Sequence, residues 1–134
     1  MQDIYKIAAH GGISDSELEA ALRQSLTGRT LKKVLILPPD FTRFHSQAGK
    51  ITSIYYAILQ DMGVQVDILP ALGTHEPVSG AQWEIMFEGI PYETMLMHDW
   101  RHDVVKIGEV PASYLEEITD GLWHDPVSVE INRR

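Results

Sequence analysis

Two short clusters carry residue types from which an acid–base or anion-binding site can be assembled: Pro38-Pro39-Asp40-Phe41-Thr42-Arg43 and Gly73-Thr74-His75-Glu76-Pro77. Arg43 offers a planar fork of donors able to grip a carboxylate through two parallel hydrogen bonds. Asp40, three residues earlier, can orient a neighbouring imidazole or a substrate hydroxyl. Taken singly, Asp40 and Arg43 can equally cap and pair for structure alone. Thr42 and Ser46 add hydroxyls on the same loop, and His45 adds an imidazole whose simplest reading is a surface side chain. Imidazole is the group whose ordinary titration range suits proton transfer near neutrality. His75 is flanked by Gly73, which permits a sharp turn or a close approach to a ligand, and by Pro77, which stiffens the exit. The plainer alternative for His75 is a turn histidine bonded to backbone.

A third group, His98-Asp99-Trp100-Arg101-His102-Asp103, places two histidines four residues apart, the spacing of a helical metal site. It lies between strand-like runs and lacks the Glu that serves as base in the H-E-x-x-H pattern. In an extended chain its histidines would stand roughly 13 Å apart. The favoured reading is a polar turn, or a rim contributing His98 or Arg101 to the same cleft, with no metal bound. Trp83, Met86 and Phe87 recur at helical spacing and are read as core. Trp123-His124-Asp125-Pro126 is read as a loop and Glu116-Glu117 as a solvated face.

The elements around the clusters follow from periodicity and punctuation. Each of the first two clusters comes directly after a short aliphatic run, 33–37 and 64–69, read as buried strands closed by prolines. Residues 3–9 are expected to form an opening strand. A helix follows, with Ser14 as N-cap, Glu17 at capping-box spacing and Gly28 as its stop. Further helices are expected over 52–62 and, capped by Ser79, through Phe87 to an end at Gly89, and a helical turn over 114–118. Strands are expected at 94–97, 104–110 and 127–131. Alternation of strand and helix predicts a three-layer α/β fold, Rossmann-like, with a mostly parallel sheet and helices on both faces. Such sheets take ligands in the crevice beyond the carboxyl ends of their strands, where Asp40, Arg43 and His75 would gather.

A chain of 134 residues fits one domain, 1–134, with a core of its own. A net charge of −8 and scattered lysines and arginines disfavour nucleic acid as a partner. The absence of cysteine excludes disulfides and thiolate chemistry and fits a reducing cytoplasm. No apolar run approaches the roughly 18 residues that a membrane span requires. There is no G-x-G-x-x-G, Walker A or G-x-S-x-G segment. The sequence ends at Arg133-Arg134 directly after a strand pattern, which reads as part of a longer protein.

Pro39-Asp40-Phe41-Thr42-Arg43, the Ala48-Gly49 step into a helix, and Ala71-Leu72-Gly73-Thr74-His75-Glu76-Pro77 together resemble the nickel-dependent lactate racemase family. The resemblance runs from about Lys33 to Arg134, and the ending Val129-Glu130-Ile131-Asn132-Arg133 shares in it. It implies two α/β domains with the active site between them, of which this chain would be the N-terminal one. It also implies a nickel-pincer nucleotide cofactor, a hydride passed between the substrate α-carbon and that cofactor, and two histidines exchanging the hydroxyl proton. On this likeness His75 is one of those histidines. Arg43 is the arginine that would hold the substrate carboxylate, and Asp40 is its acidic neighbour. Thr42, Gly73 and Thr74 would complete the substrate contacts. The family's second histidine, tethering lysine and nickel-ligating histidine belong to segments without a counterpart here, including a Ser-Gly-Gly-x-Lys type motif. The chain alone is therefore not expected to hold the cofactor or to racemise a substrate.

The expected function is thus the N-terminal half of a cytoplasmic racemase or epimerase for a small 2-hydroxy acid, partnered by its own C-terminal domain. Two alternatives remain open. One is a free-standing module that binds a small carboxylate or phosphate through Arg43 and backbone amides, without catalysis. The other is a metal-dependent hydrolase or isomerase using His98, His102 and Asp99 or Asp103.

Overall fold

The structure, a computed structural model, describes residues 4–8 and 10–133. The chain is α/β, with four α-helices, two short 3₁₀ helices and two small sheets among these residues. It divides into two compact units. One contains the described residues up to Leu72 together with Glu76–Met97; the other contains Gly73–His75 and the chain from His98 onward.

In the first unit, α1 (Asp15–Leu26) opens on the expected capping box. The Ser14 side chain accepts from the Glu17 amide, and the Glu17 carboxylate accepts from the Ser14 amide at 3.0 Å. β1 (Lys33–Ile36) leads through the first 3₁₀ helix (Phe41–Ser46) into α2 (Ala48–Asp61), which returns the chain to β2 (Gln65–Ile68). The two strands pair in parallel, Lys33 opposite Gln65 and Ile36 opposite Ile68. This is a βαβ unit with α2 as its crossover. Val34 and Ile36 pack against the core, and Val66 and Ile68 belong to it, together with Leu59 of α2 and Trp83, Met86 and Phe87 around α3 (Gly80–Met86). Alternate residues of β1 are open: Leu35 is 48% exposed, and Leu37 just beyond the strand is 62% exposed. The indole of Trp83 donates to the Ile90 carbonyl at 2.8 Å, which satisfies its one polar atom inside the core.

α2 begins at Ala48 rather than at the expected residue 52. Gln47 adopts the left-handed conformation (φ 63°), and Ser46 Oγ accepts from the Ala48 amide at 3.2 Å, so the chain turns straight from one helix into the next. The expected strand at 94–97 is reduced to a single parallel bridge between Met95 and Ile68. Pro91 starts a 3₁₀ turn over Tyr92–Thr94, and the Thr94 hydroxyl bonds back to the Pro91 carbonyl, a local alternative to pairing. The expected strand at 3–9 is not formed over the described residues 4–8, where Tyr5 is 86% exposed; Asp3 and Ala9 lie outside the described residues.

In the second unit β3 (Val104–Val110) and β4 (Val127–Asn132) pair antiparallel, Val104 opposite Asn132 and Val110 opposite Val127. α4 (Ala112–Ile118) lies between them in sequence. The alternation of the sequence predicted a mostly parallel sheet. Each sheet of the structure instead has two strands, one pair parallel and one antiparallel. The connection from Val110 to Val127 carries only a two-turn helix and brings the chain back as a ribbon. Among the described residues no helix is long and apolar enough to cross a membrane.

Candidate functional site

The parallel pairing of β1 and β2 persists beyond the strands as a bridge between Pro39 and Ala71, with the Ala71 amide donating to the Pro38 carbonyl at 2.8 Å. Both predicted clusters therefore start within two residues of one paired strand end: Asp40 follows Pro39, and Gly73 follows Ala71 by two. Pro38, Pro39 and Pro70 end regular pairing there, because proline has no amide to give a ladder.

Asp40 is buried, 5% exposed, and serves as N-cap of the first 3₁₀ helix. Its Oδ1 accepts from the Thr42 amide at 3.1 Å and from the Thr42 hydroxyl at 2.5 Å, and its carbonyl accepts from the Arg43 amide at 3.0 Å. Thr42 and Arg43 are both exposed, and Arg43 leaves helical geometry at φ −104°, ψ 24°. The loop thus has a buried carboxylate at its root and a guanidinium at its surface. Phe44 stacks between Phe41 (ring centroids 5.7 Å apart) and His45 (5.5 Å, edge-on), so His45 is placed by an aromatic row. Ser46 Oγ is engaged by the Ala48 amide at the start of α2.

Gly73 takes φ +61°, and nothing lies within 4 Å of the position its Cβ would occupy, so the glycine answers a backbone need. Thr74 and His75 follow in an exposed turn. The His75 carbonyl accepts from the indole nitrogen of Trp100 at 3.3 Å. His75 belongs to the second compact unit, whereas Asp40, Thr42 and Arg43 belong to the first.

The 98–103 segment forms a turn closed by the Asp103 amide on the Asp99 carbonyl at 2.9 Å. Its two histidines take different partners. His102 Nδ1 lies 2.9 Å from Asp99 Oδ1, while His98 Nε2 lies 3.2 Å from Asn132 Oδ1. Partial loss of water raises the pKa of Asp99, but hydrogen bonds from the His102 ring and amide, with the nearby imidazole charge, outweigh it. The carboxyl titrates below its ordinary value. Among the described residues no three His, Asp or Glu side chains converge to hold one ion. Lys33, Lys50 and Lys106 are paired with Asp67, Asp15 and Glu109.

A cavity of about 500 Å³ opens beside the first turn of α2, lined in part by Phe44, Gln47, Lys50, Ile85 and Glu88. None of Asp40, Thr42, Arg43, Gly73, Thr74 and His75 lines it. Sequence reasoning gave this cavity no place, because its walls come from Asp15 of α1, Phe44 of the first 3₁₀ helix, α2, α3 and Glu88, residues far apart in the chain. It also gave no role to Trp100, whose partner is 25 residues away.

No protein-family profile and no curated protein matches the chain. A crystal structure of a protein from Thermotoga maritima is similar in fold, with a TM-score of 0.66 and 22% sequence identity over 90% of this chain. The chain spans 30% of the length of that structure.

Proposed function

We propose that this chain is the N-terminal α/β domain of a racemase or epimerase acting on a small 2-hydroxy acid, a lactate racemase-like isomerase. The observation that carries the reading is the Pro39–Ala71 bridge: two loops bearing the chosen residue types spring from adjacent ends of parallel strands, where open α/β folds take ligands. In this reading Arg43 clamps the substrate carboxylate as a bidentate fork. Asp40 fixes the loop that presents Arg43, Thr42, Gly73 and Thr74 add contacts to the substrate, and His75 moves the proton of the substrate hydroxyl.

The reading extends to the rest of the protein. The parallel pair is the start of a larger three-layer sheet, a C-terminal domain closes the site, and the enzyme works in the cytoplasm. The nickel-pincer nucleotide would be held by other parts of the protein.

The test is to incubate the complete protein carrying this chain with single enantiomers of lactate and other 2-hydroxy acids, then resolve the products by chiral chromatography. Appearance of the opposite configuration at one α-carbon is the expected result. Calorimetric binding of hydroxy acids to the isolated chain, with no interconversion by the complete protein, would favour the small-anion module.

A further inference from the structure

Gly73–His75 clusters with the chain from His98 onward and not with the residues that precede or follow it. One tie within that unit is the hydrogen bond from Trp100 Nε1 to the His75 carbonyl, 3.3 Å long. It is made to the main chain of His75 and not to its ring, so it fixes where the residue stands without engaging the imidazole. Trp100 is itself held. The guanidinium of Arg101 lies 4.1 Å from the centre of its ring, a cation–π arrangement. The turn that carries it is braced by Asn132 of β4, whose amide group donates to the Asp99 carbonyl at 3.1 Å and the Asp103 carbonyl at 3.2 Å. A continuous chain of contacts runs from β4 through the turn and the indole to the His75 backbone.

We propose that Trp100, backed by Arg101, is the positioning residue for His75; this rests on the reading of His75 as the acid–base group. A proton-transfer group on an exposed glycine turn is useful only if its location is set, because misplacement by about an ångström can cost a hundredfold in rate. The indole supplies that constraint from an element that ends in a hydrogen-bonded ribbon. Gly73, at φ +61°, provides the bend that lets the turn reach the indole.

The test compares the native chain with Trp100→Phe, which keeps an aromatic ring and removes the N–H, and with Arg101→Ala, which keeps the N–H and removes the stacked cation. Amide hydrogen exchange at Thr74 and His75 and the NMR resonance of the His75 ring are followed in each. In Trp100→Phe, exchange at these two amides rises roughly five- to tenfold, because the turn, no longer held at the His75 carbonyl, opens more often. The His75 resonance moves, while the amides of β3 and β4 and the His45 resonance stay as in the native chain. Arg101→Ala gives a smaller change of the same sign. In the complete enzyme Trp100→Phe lowers kcat with KM little changed. Native exchange at Thr74 and His75 in Trp100→Phe, with the ribbon intact, overturns the proposal. If Trp100→Phe unfolds the ribbon, native exchange in Arg101→Ala overturns it instead. None of the exchange readouts needs turnover. Retained activity in His75→Ala would therefore defeat the acid–base reading, while the exchange result separately decides whether Trp100 sets the loop.

Discussion

Asp40 Oδ1 holds Thr42 twice, through the Thr42 amide at 3.1 Å and through its hydroxyl at 2.5 Å. Because Asp40 is 5% exposed, these bonds sit where water competes poorly. Removing the carboxylate leaves the Thr42 donors without their acceptor at the start of the 3₁₀ helix. Asp40→Ala should cost about 1–3 kcal/mol, and Asp40→Asn, which keeps an acceptor oxygen, should cost less. Urea midpoints of the two variants measure this; equal, native-like midpoints would count against a capping role for Asp40.

Gly49 faces Met86 so closely that a Cβ would lie 2.1 Å from the Met86 carbonyl oxygen and 2.8 Å from its Cγ. Two effects oppose each other in Gly49→Ala. Helix propensity favours alanine by about 1 kcal/mol, whereas forcing a methyl against a backbone carbonyl costs about 1–3 kcal/mol or more. The contact is with backbone and cannot be relieved by a rotamer change alone, so the second effect should win. The expected outcome is a lower melting temperature for Gly49→Ala. A raised melting temperature would mean that α2 and α3 separate easily.

The Glu17 carboxyl titrates below its ordinary value of 4.5, chiefly because the Ser14 hydroxyl and amide donate to its charged form. A depressed carboxylate contributes stability that is present above its ordinary value and is lost as pH falls through the lower folded value. The capping box should therefore weaken as the solution is acidified below pH 4.5. Glu17→Gln should be less stable than the native chain near neutrality, and the gap should close in acid. Thermal melts of both proteins across that window check the sign; a gap that widens in acid would refute it.

Much of the first unit was legible because each element there carries its own local signal. Ser14 and Glu17 announce α1, Ser79 announces α3, and the aliphatic runs ending in prolines announce β1 and β2. What failed to show in the sequence depends on partners distant along the chain. The run over residues 4–8 is strand-like in pattern, yet the structure gives it no pairing, and Met95 receives one bridge instead of a strand. The apolar-polar alternation of β4 says nothing about direction, which is set by its pairing with β3. For the candidate site, the sequence located the loops after β1 and β2 and offered capping as one reading of Asp40, but did not single out Thr42 as the partner of its carboxylate oxygen. Nor could it join Trp100 to His75, since hydrogen bonds across 25 residues leave no periodicity to read.

If His75 transfers the proton of a 2-hydroxy acid's hydroxyl, as proposed, turnover of the enantiomers by His75→Ala in the complete protein reads it. General acid–base catalysis is worth about 10²–10⁴-fold. In His75→Ala, kcat for interconversion of the enantiomers should fall by at least about a hundredfold, with the circular dichroism and melting temperature of the native protein preserved, since His75 is exposed. Native turnover by that folded variant would contradict it.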